Sequence, residues 1–272
     1  MSLRPPALLA AIALVSACSA PGAELIDSPL VDELRTGQSS GTQSFDHSAL
    51  DTLLSAHVNA EAGHVDYTGL RDDRAELDAY LSALAEADAT TLNEDEQLAM
   101  LINAYNACTL RLIVDNLPVD SIRDISDPWG EPRCEVAGYL LSLDEIEHGL
   151  IRPLYEDPRI HFAVNCAARS CPHLAEHAYT GAEVDAQLDA RTRASLSDPK
   201  FARIEGDTLY LTKIMDWYGS DFTDPAYQGS TTELVDYVEI YTSEAIRARL
   251  QNDDAPNVDI VFMDYDWALN TP

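Results

Sequence analysis

Apolar residues recur every three to four positions over several long stretches, the mark of helices with one buried face. Phe45, Leu50, Leu53, Leu54 and Val58 predict a helix over 45–60, capped by Ser44 or Asp46. Leu77, Tyr80, Leu81 and Leu84 form the stripe of a second helix, 75–87. Asn93 caps the third and longest, 94–116, which ends before Pro118. Its centre, 98–114, is apolar nearly all round, so it is the expected buried core helix. A short helix is predicted over 143–154, where Ser142 and Glu145 stand at capping-box spacing. Three more are predicted at 181–196, 214–222 and 232–250.

Alternation takes over in places along the second half. Residues 134–143 alternate around Ala137-Gly138, and 201–204 and 208–211 flank Glu205-Gly206-Asp207, so both read as hairpins. Residues 159–165 and 258–268 read as strands. Helices first and hairpins afterwards predict a single α+β domain, with an antiparallel sheet built from hairpins and flanking helices. No glycine-rich phosphate loop, Gly-x-Ser-x-Gly elbow or His-Glu-x-x-His helix is present in the sequence.

The first residues change the picture of compartment. Arg4 precedes an apolar run, 7–15, and then Val15-Ser16-Ala17-Cys18, the layout of an export signal over 1–17. The run is too short to span a bilayer, which takes about 20 apolar residues. Cysteine directly after Val-Ser-Ala resembles the lipobox of bacterial lipoproteins. That resemblance implies cleavage before Cys18, its lipidation, and a domain tethered to a bacterial membrane in the periplasm or outside. Residues 18–44 are rich in Ser, Gly, Thr and Gln and read as a flexible tether, with at most a short helix around 31–34. That leaves 45–272 for one domain with a sizeable core.

Charge narrows the partners. The chain has 47 acidic residues against 17 basic ones, a net charge of −30, and its only lysines are Lys200 and Lys213. Such a surface repels nucleic acid and anionic headgroups, so neither is an expected ligand. The acids are scattered, as suits a protein kept in solution by charge in a salty medium.

Chemistry concentrates in 160–173, IHFAVNCAARSCPH. Together with Asn103-Ala-Tyr-Asn-Ala107, Ser121-Ile-Arg-Asp-Ile125, Leu143-Asp-Glu-Ile-Glu-His-Gly149, Asp157-Pro-Arg-Ile-His161, Trp217-Tyr218, Asp221-Phe222 and Tyr265-Asp266-Trp267, this stretch resembles the domain of unknown function 547 family. The likeness runs from about Val65 to the end. It implies a shared fold and little chemistry, since that family has no assigned activity. The chain departs from the pattern at Cys108, His173 and His177.

Three readings of the loop compete. In the first, Cys166 or Cys171 is a nucleophile, His161 or His148 its base, and Asn165 or Asp144 the group that orients the base. Strand alternation would put His161 and Asn165 on one face. A papain-like chain order would instead start at Cys108 and continue to His161 and Asn165. In the second, Cys166 and Cys171 form a disulfide that pins the loop, as export favours, while Cys108 and Cys134 stay packed free thiols. In the third, Cys166, Cys171, His173 and His177 hold a metal, but their spacing is irregular for zinc. The favoured bridge leaves no metal and no cofactor expected. Asn103, Asn106, Arg123, Trp217 and Tyr218 are candidate binding residues, although Trp217-Tyr218 and Tyr265-Asp266-Trp267 read more readily as core aromatics than as sugar-stacking ones. Two functions follow: a lipid-anchored envelope hydrolase or transferase acting through a thiol on amide or peptide bonds, or a non-enzymatic envelope binding or assembly protein. Either would take a small molecule or an envelope polymer.

Overall fold

The computed structural model describes residues 22–251 and 258–272; the expected signal and Cys18 lie outside them. Where a tether was expected, the described chain begins with a helix, α1 (Pro29–Ser40). Ser28 caps it by accepting from the Leu30 N–H at 3.3 Å. Leu30, Val31 and Leu34 are buried, and the Gln97 amide donates to the carbonyls of Leu34, Ala89 and Leu92 at 2.9–3.0 Å. Three apolar residues in polar surroundings are too few to register as periodicity, yet they are enough to dock one turn of helix on a core.

Helices α2 (Ser48–His57), α3 (Tyr67–Asp72) and α4 (Arg74–Ala85) gather with α1 around α5 (Glu94–Asn116), beside a two-residue ribbon of β1 (Val58–Asn59) and β2 (His64–Val65). As predicted, α5 is the core helix: every residue from Gln97 to Val114 is buried except Arg111. Asn93 caps it, accepting from the Glu96 N–H at 3.0 Å. The hairpin β3 (Cys134–Val136) and β4 (Tyr139–Leu141) turns on Ala137 and Gly138, both at positive φ, as a tight two-residue hairpin requires. Here the thiol expectation is corrected: Cys108 of α5 and Cys134 of β3 form a disulfide, with Cα atoms 5.8 Å apart, a separation at which bridges form without backbone movement.

Helix α6 (Leu143–Ile146) opens on the predicted Ser142–Glu145 capping box, continues through a π turn, Glu147–Ile151, and ends as α7 (Arg152–Tyr155). The strand expected over 159–165 is instead a 3₁₀ helix, Pro158–Phe162. Pro158 pre-sets the first turn and the Asp157 carboxylate accepts from the Arg159 N–H at 2.9 Å, so cap chemistry overrides the alternation. Ile160, His161 and Phe162 are all buried, which no half-buried strand would allow.

After α8 (Val184–Ser197), β5 (Ala202–Glu205) and β6 (Thr208–Leu211) pair antiparallel as the predicted hairpin, with Ala202 opposite Leu211. Predicted helix 214–222 divides at Tyr218 into α9 (Ile214–Trp217) and α10 (Gly219–Thr223). Predicted helix 232–250 divides into α11 (Leu234–Tyr241) and α12 (Glu244–Leu250), where the Thr242 hydroxyl donates to the Leu196 carbonyl at 2.8 Å. The last strand, β7 (Asp259–Phe262), runs parallel to β6, the one exception to antiparallel pairing among the described strands. The architecture is α+β, with small sheets flanked by helices. One large apolar cluster surrounds α5, and a smaller one joins Phe162, Phe222 and Tyr237 to the β5–β6–β7 sheet. Among the described residues, no helix is long and apolar enough to cross a membrane.

Candidate active site

A buried relay begins at Asp221 on α10. The Arg152 guanidinium grips its carboxylate through Nε to Oδ2 at 2.7 Å and Nη2 to Oδ1 at 2.9 Å. His161 Nε2 lies 2.8 Å from Oδ2, so with an ionised aspartate this nitrogen carries the proton and donates it. Burial pushes the Asp221 carboxyl up, but the hydrogen bonds from His161 and Arg152 outweigh it and hold the group well below the usual carboxylate range. Burial lowers the His161 pKa, partly opposed by Asp221, so the imidazole is neutral near pH 7. The tautomer that Asp221 fixes leaves the lone pair on Nδ1, which is buried without a hydrogen-bond partner. Tyr218, at the break between α9 and α10, stacks on the imidazole with centroids 4.0 Å apart. The result is a rigid neutral base.

The π turn adds Glu147 and His148. Irregular turns of this kind re-aim consecutive side chains and are frequent at functional sites. Glu147 Oε1 stands 3.8 Å from His148 Nδ1 and 3.9 Å from His161 Nδ1, too far for hydrogen bonds. His148 Nδ1 takes a hydrogen bond from Arg152 Nη1 at 3.2 Å.

The cysteine loop is held from two directions. Asn106 on α5 donates to the Ala163 carbonyl at 3.0 Å and accepts from the Asn165 N–H at 2.8 Å. Asn165 in turn donates to the Pro172 carbonyl at 2.7 Å and accepts from the Ala167 N–H at 2.9 Å. From the other side the C-terminal segment is laced to the loop: Asn270 N–H to the Ala167 carbonyl at 3.0 Å, and Arg169 N–H to the Ala268 carbonyl at 2.8 Å. Between these clamps Ala167 is forced to φ 63°, a left-handed conformation costly for a residue with a Cβ.

The expected Cys166–Cys171 bridge is not formed. The sulfurs are 2.7 Å apart, whereas a disulfide bond measures about 2.05 Å. The Cys166 N–H donates to Cys171 Sγ at 2.9 Å, and the Tyr265 hydroxyl lies 3.2 Å from Cys166 Sγ. Burial pushes the Cys171 thiol up, but hydrogen bonds from the Cys166 thiol, Tyr265 and two backbone N–H groups outweigh it and lower the pKa. Cys166 moves the opposite way, raised well above a free thiol first by its hydrogen bond to Cys171 and then by burial. The two sulfurs share a hydrogen bond, and the first ionisation of the pair is favoured on Cys171 over Cys166.

Both sulfurs and both histidines line one cavity of about 530 Å³. Its walls include Arg123, Trp217 and Tyr218, three of the candidate binding residues, and also Tyr105, Trp129, Asp144, Glu147, Tyr265 and Trp267. Neither sulfur hydrogen-bonds a histidine among the described residues. Asn103 and Asn106 do not line it; Asn103 clamps the Tyr179 backbone through N–H at 3.0 Å and carbonyl at 2.7 Å. Asn165 is a loop clamp and does not orient His161. Cys108, tied up in its bridge, cannot open a papain-like order. His173 is turned to the Ala60 carbonyl at 2.8 Å and His177 to Asp51 at 3.1 Å, away from the thiols. Sequence reasoning passed over Asp221, the true partner of His161, because 60 residues separate them. It also passed over Glu147 and Tyr265. The signal that could have found the relay is the i, i+4 spacing of His148 and Arg152 within the predicted helix 143–154.

No curated protein and no solved structure matches the chain. Residues 89–196, which carry α5, the π turn, His161 and both cavity cysteines, match the family described as "Protein of unknown function, DUF547".

Proposed function

We propose that the protein is a thiol-dependent hydrolase or transferase that cleaves amide or ester bonds in the cell envelope, held at a membrane through Cys18. The carrying observation is the pairing, in one cavity, of a thiolate-favouring Cys171 with a neutral His161 whose Nε2 is fixed by Asp221. The Cys171 thiolate attacks the acyl carbon and forms a thioester, and the leaving amine or alcohol takes the proton of the Cys166 thiol. His161 Nδ1 then accepts a proton from the incoming water or acceptor. Cys171 departs as a thiolate, and the proton on His161 returns to Cys166. An oriented base and a low-pKa thiol are the elements such acyl transfer requires.

The test is intact-protein mass after brief exposure of the reduced chain to p-nitrophenyl acetate. An acetyl thioester should map to Cys171 and disappear in Cys171→Ser. Acetylation only at lysines or hydroxyls would sink the proposal. The 2.7 Å sulfur separation favours one second reading, a binding protein whose loop is pinned when the pair oxidises. Under that reading, the reduced and oxidised chains bind ligand alike and neither forms a thioester.

A further inference from the structure

The chain has three tryptophans, and all of them, Trp129, Trp217 and Trp267, line the cavity that holds the thiols. All three are partly exposed, whereas the sequence suggested core positions for Trp217 and Trp267. Trp217 and Trp267 lie with centroids 5.8 Å apart and planes 29° from parallel, and Tyr265 sits 4.8 and 4.5 Å from them. Trp129 meets Trp267 edge-on at 5.6 Å. This is a continuous aromatic surface without a slot, since a flat ring inserted between two others needs roughly 7 Å between planes at ordinary contact distances. A ligand must therefore lie on the surface by one face.

The remaining lining decides what kind of face. Asp144, Glu147 and His148 come from α6 and the π turn, and the exposed Arg123 guanidinium lies 5.3 Å from the Trp267 centroid. A hydrocarbon acyl chain would leave these groups desolvated and unpaired, which is costly. A quaternary cation would have to share Trp267 with a guanidinium already there. A pyranose ring meets both demands: its C–H face packs on indole, and its hydroxyls pair with carboxylates and guanidinium. We infer that the substrate carries a hexopyranose ring, which rests on Trp217 and Trp267 and turns its hydroxyls to Asp144, Glu147 and Arg123. This deepens the proposed function, on which it rests in taking this cavity as the substrate site.

The three indoles make intrinsic fluorescence a direct readout. The reduced full chain is titrated with chitotetraose, cellotetraose and maltotetraose to about 10 mM, with choline and octanoate as controls. Affinities are measured in parallel by calorimetry. At least one sugar should shift the emission saturably, and Trp267→Ala and Trp217→Ala should each weaken its binding about tenfold or more, with partial recovery in the corresponding tyrosine variants. Thermal melts check that each variant folds, and the tyrosine variants carry the test if an alanine variant does not. No response to any of the three sugars overturns the inference, as does sugar binding indifferent to both tryptophans or a response to choline or octanoate alone. The thioester assay reads the other claim independently. Sugar binding without a thioester keeps the substrate class and removes the chemistry; a thioester without sugar binding does the reverse.

Discussion

Cys108 and Cys134 lie 26 residues apart and join the core helix α5 to a hairpin inside the larger apolar cluster. Cys166 and Cys171 are five residues apart, in a loop whose backbone is over-determined by Asn106, Asn165 and the C-terminal segment, and they remain thiols facing a cavity. Among the described residues, the first pair's one hydrogen-bond-range neighbour is the Ala104 carbonyl, 3.8 Å from Cys134 Sγ. The second receives a backbone N–H and lies beside a tyrosine hydroxyl. A sulfur in an apolar setting is inert and useful as a strut, whereas a sulfur surrounded by donors holds negative charge and is reactive. Compartment alone does not decide which cysteines bridge; the local supply of donors and the geometry of the backbone do.

The contrast can be broken by moving function from one pair to the other. Cys171→Ser should lower acyl transfer by about 10³-fold or more while leaving the melting temperature within a few degrees. An equal loss on removing Cys108 would refute the division of labour. Asp221→Asn should cost about 3–5 kcal/mol of stability, because it removes the carboxylate from a buried ion pair with Arg152, and should also slow turnover by loosening the hold on His161. Urea unfolding and steady-state kinetics on one preparation measure both. Replacing both Cys108 and Cys134 by alanine should cost about 3.5 kcal/mol, the entropy of a loop of this length, with the alkylation rate of Cys171 unchanged at 25 °C.

The smallest effect concerns acid. On the core side, His47 is buried and bonded to Tyr80 at 2.7 Å, and burial lowers its pKa to about 4 from an ordinary 6.5. Its folded pKa is depressed and the charged form is the disfavoured one. The unfolded chain therefore binds the proton first, and stability is full above 6.5 and falls as pH drops from 6.5 towards 4. The loss between pH 7 and pH 5 should be about 2 kcal/mol, and His47→Gln should remove that share of it. His161 and His173 are shifted the same way and add to the remaining slope.

Much of the scaffold was legible because single local rules governed it. Asn93 and Pro118 bounded α5, Ala137-Gly138 marked a hairpin, and Ser142 with Glu145 marked a capping box. The site was legible only in part. Cys166, Cys171, His148, His161, Arg123, Trp217 and Tyr218 do share a cavity, but which group orients His161 is decided by where α10 brings Asp221 to Arg152 and His161. No spacing encodes that contact. Alternation at 159–165 misled, because Asp157-Pro158 imposes a helical turn regardless of pattern. The bridge between Cys108 and Cys134 depends on a hairpin docking against α5, again a tertiary fact. Trp217 and Trp267 were read as core because a sequence cannot show that they converge with Trp129 on one opening.

The central claim, that Cys171 is the reactive thiolate and Cys108 and Cys134 form an inert strut, is tested most directly by site-resolved alkylation. The native, mildly reduced chain is treated with iodoacetamide from pH 5 to pH 10, and each cysteine is followed by peptide mass mapping. The account predicts that Cys171 reacts first, with a midpoint below that of a free thiol, that Cys166 follows only at much higher pH, and that Cys108 and Cys134 stay unlabelled until the chain unfolds. Labelling of Cys108 or Cys134 in the folded chain, or a Cys171 that titrates no lower than a free thiol, would contradict it.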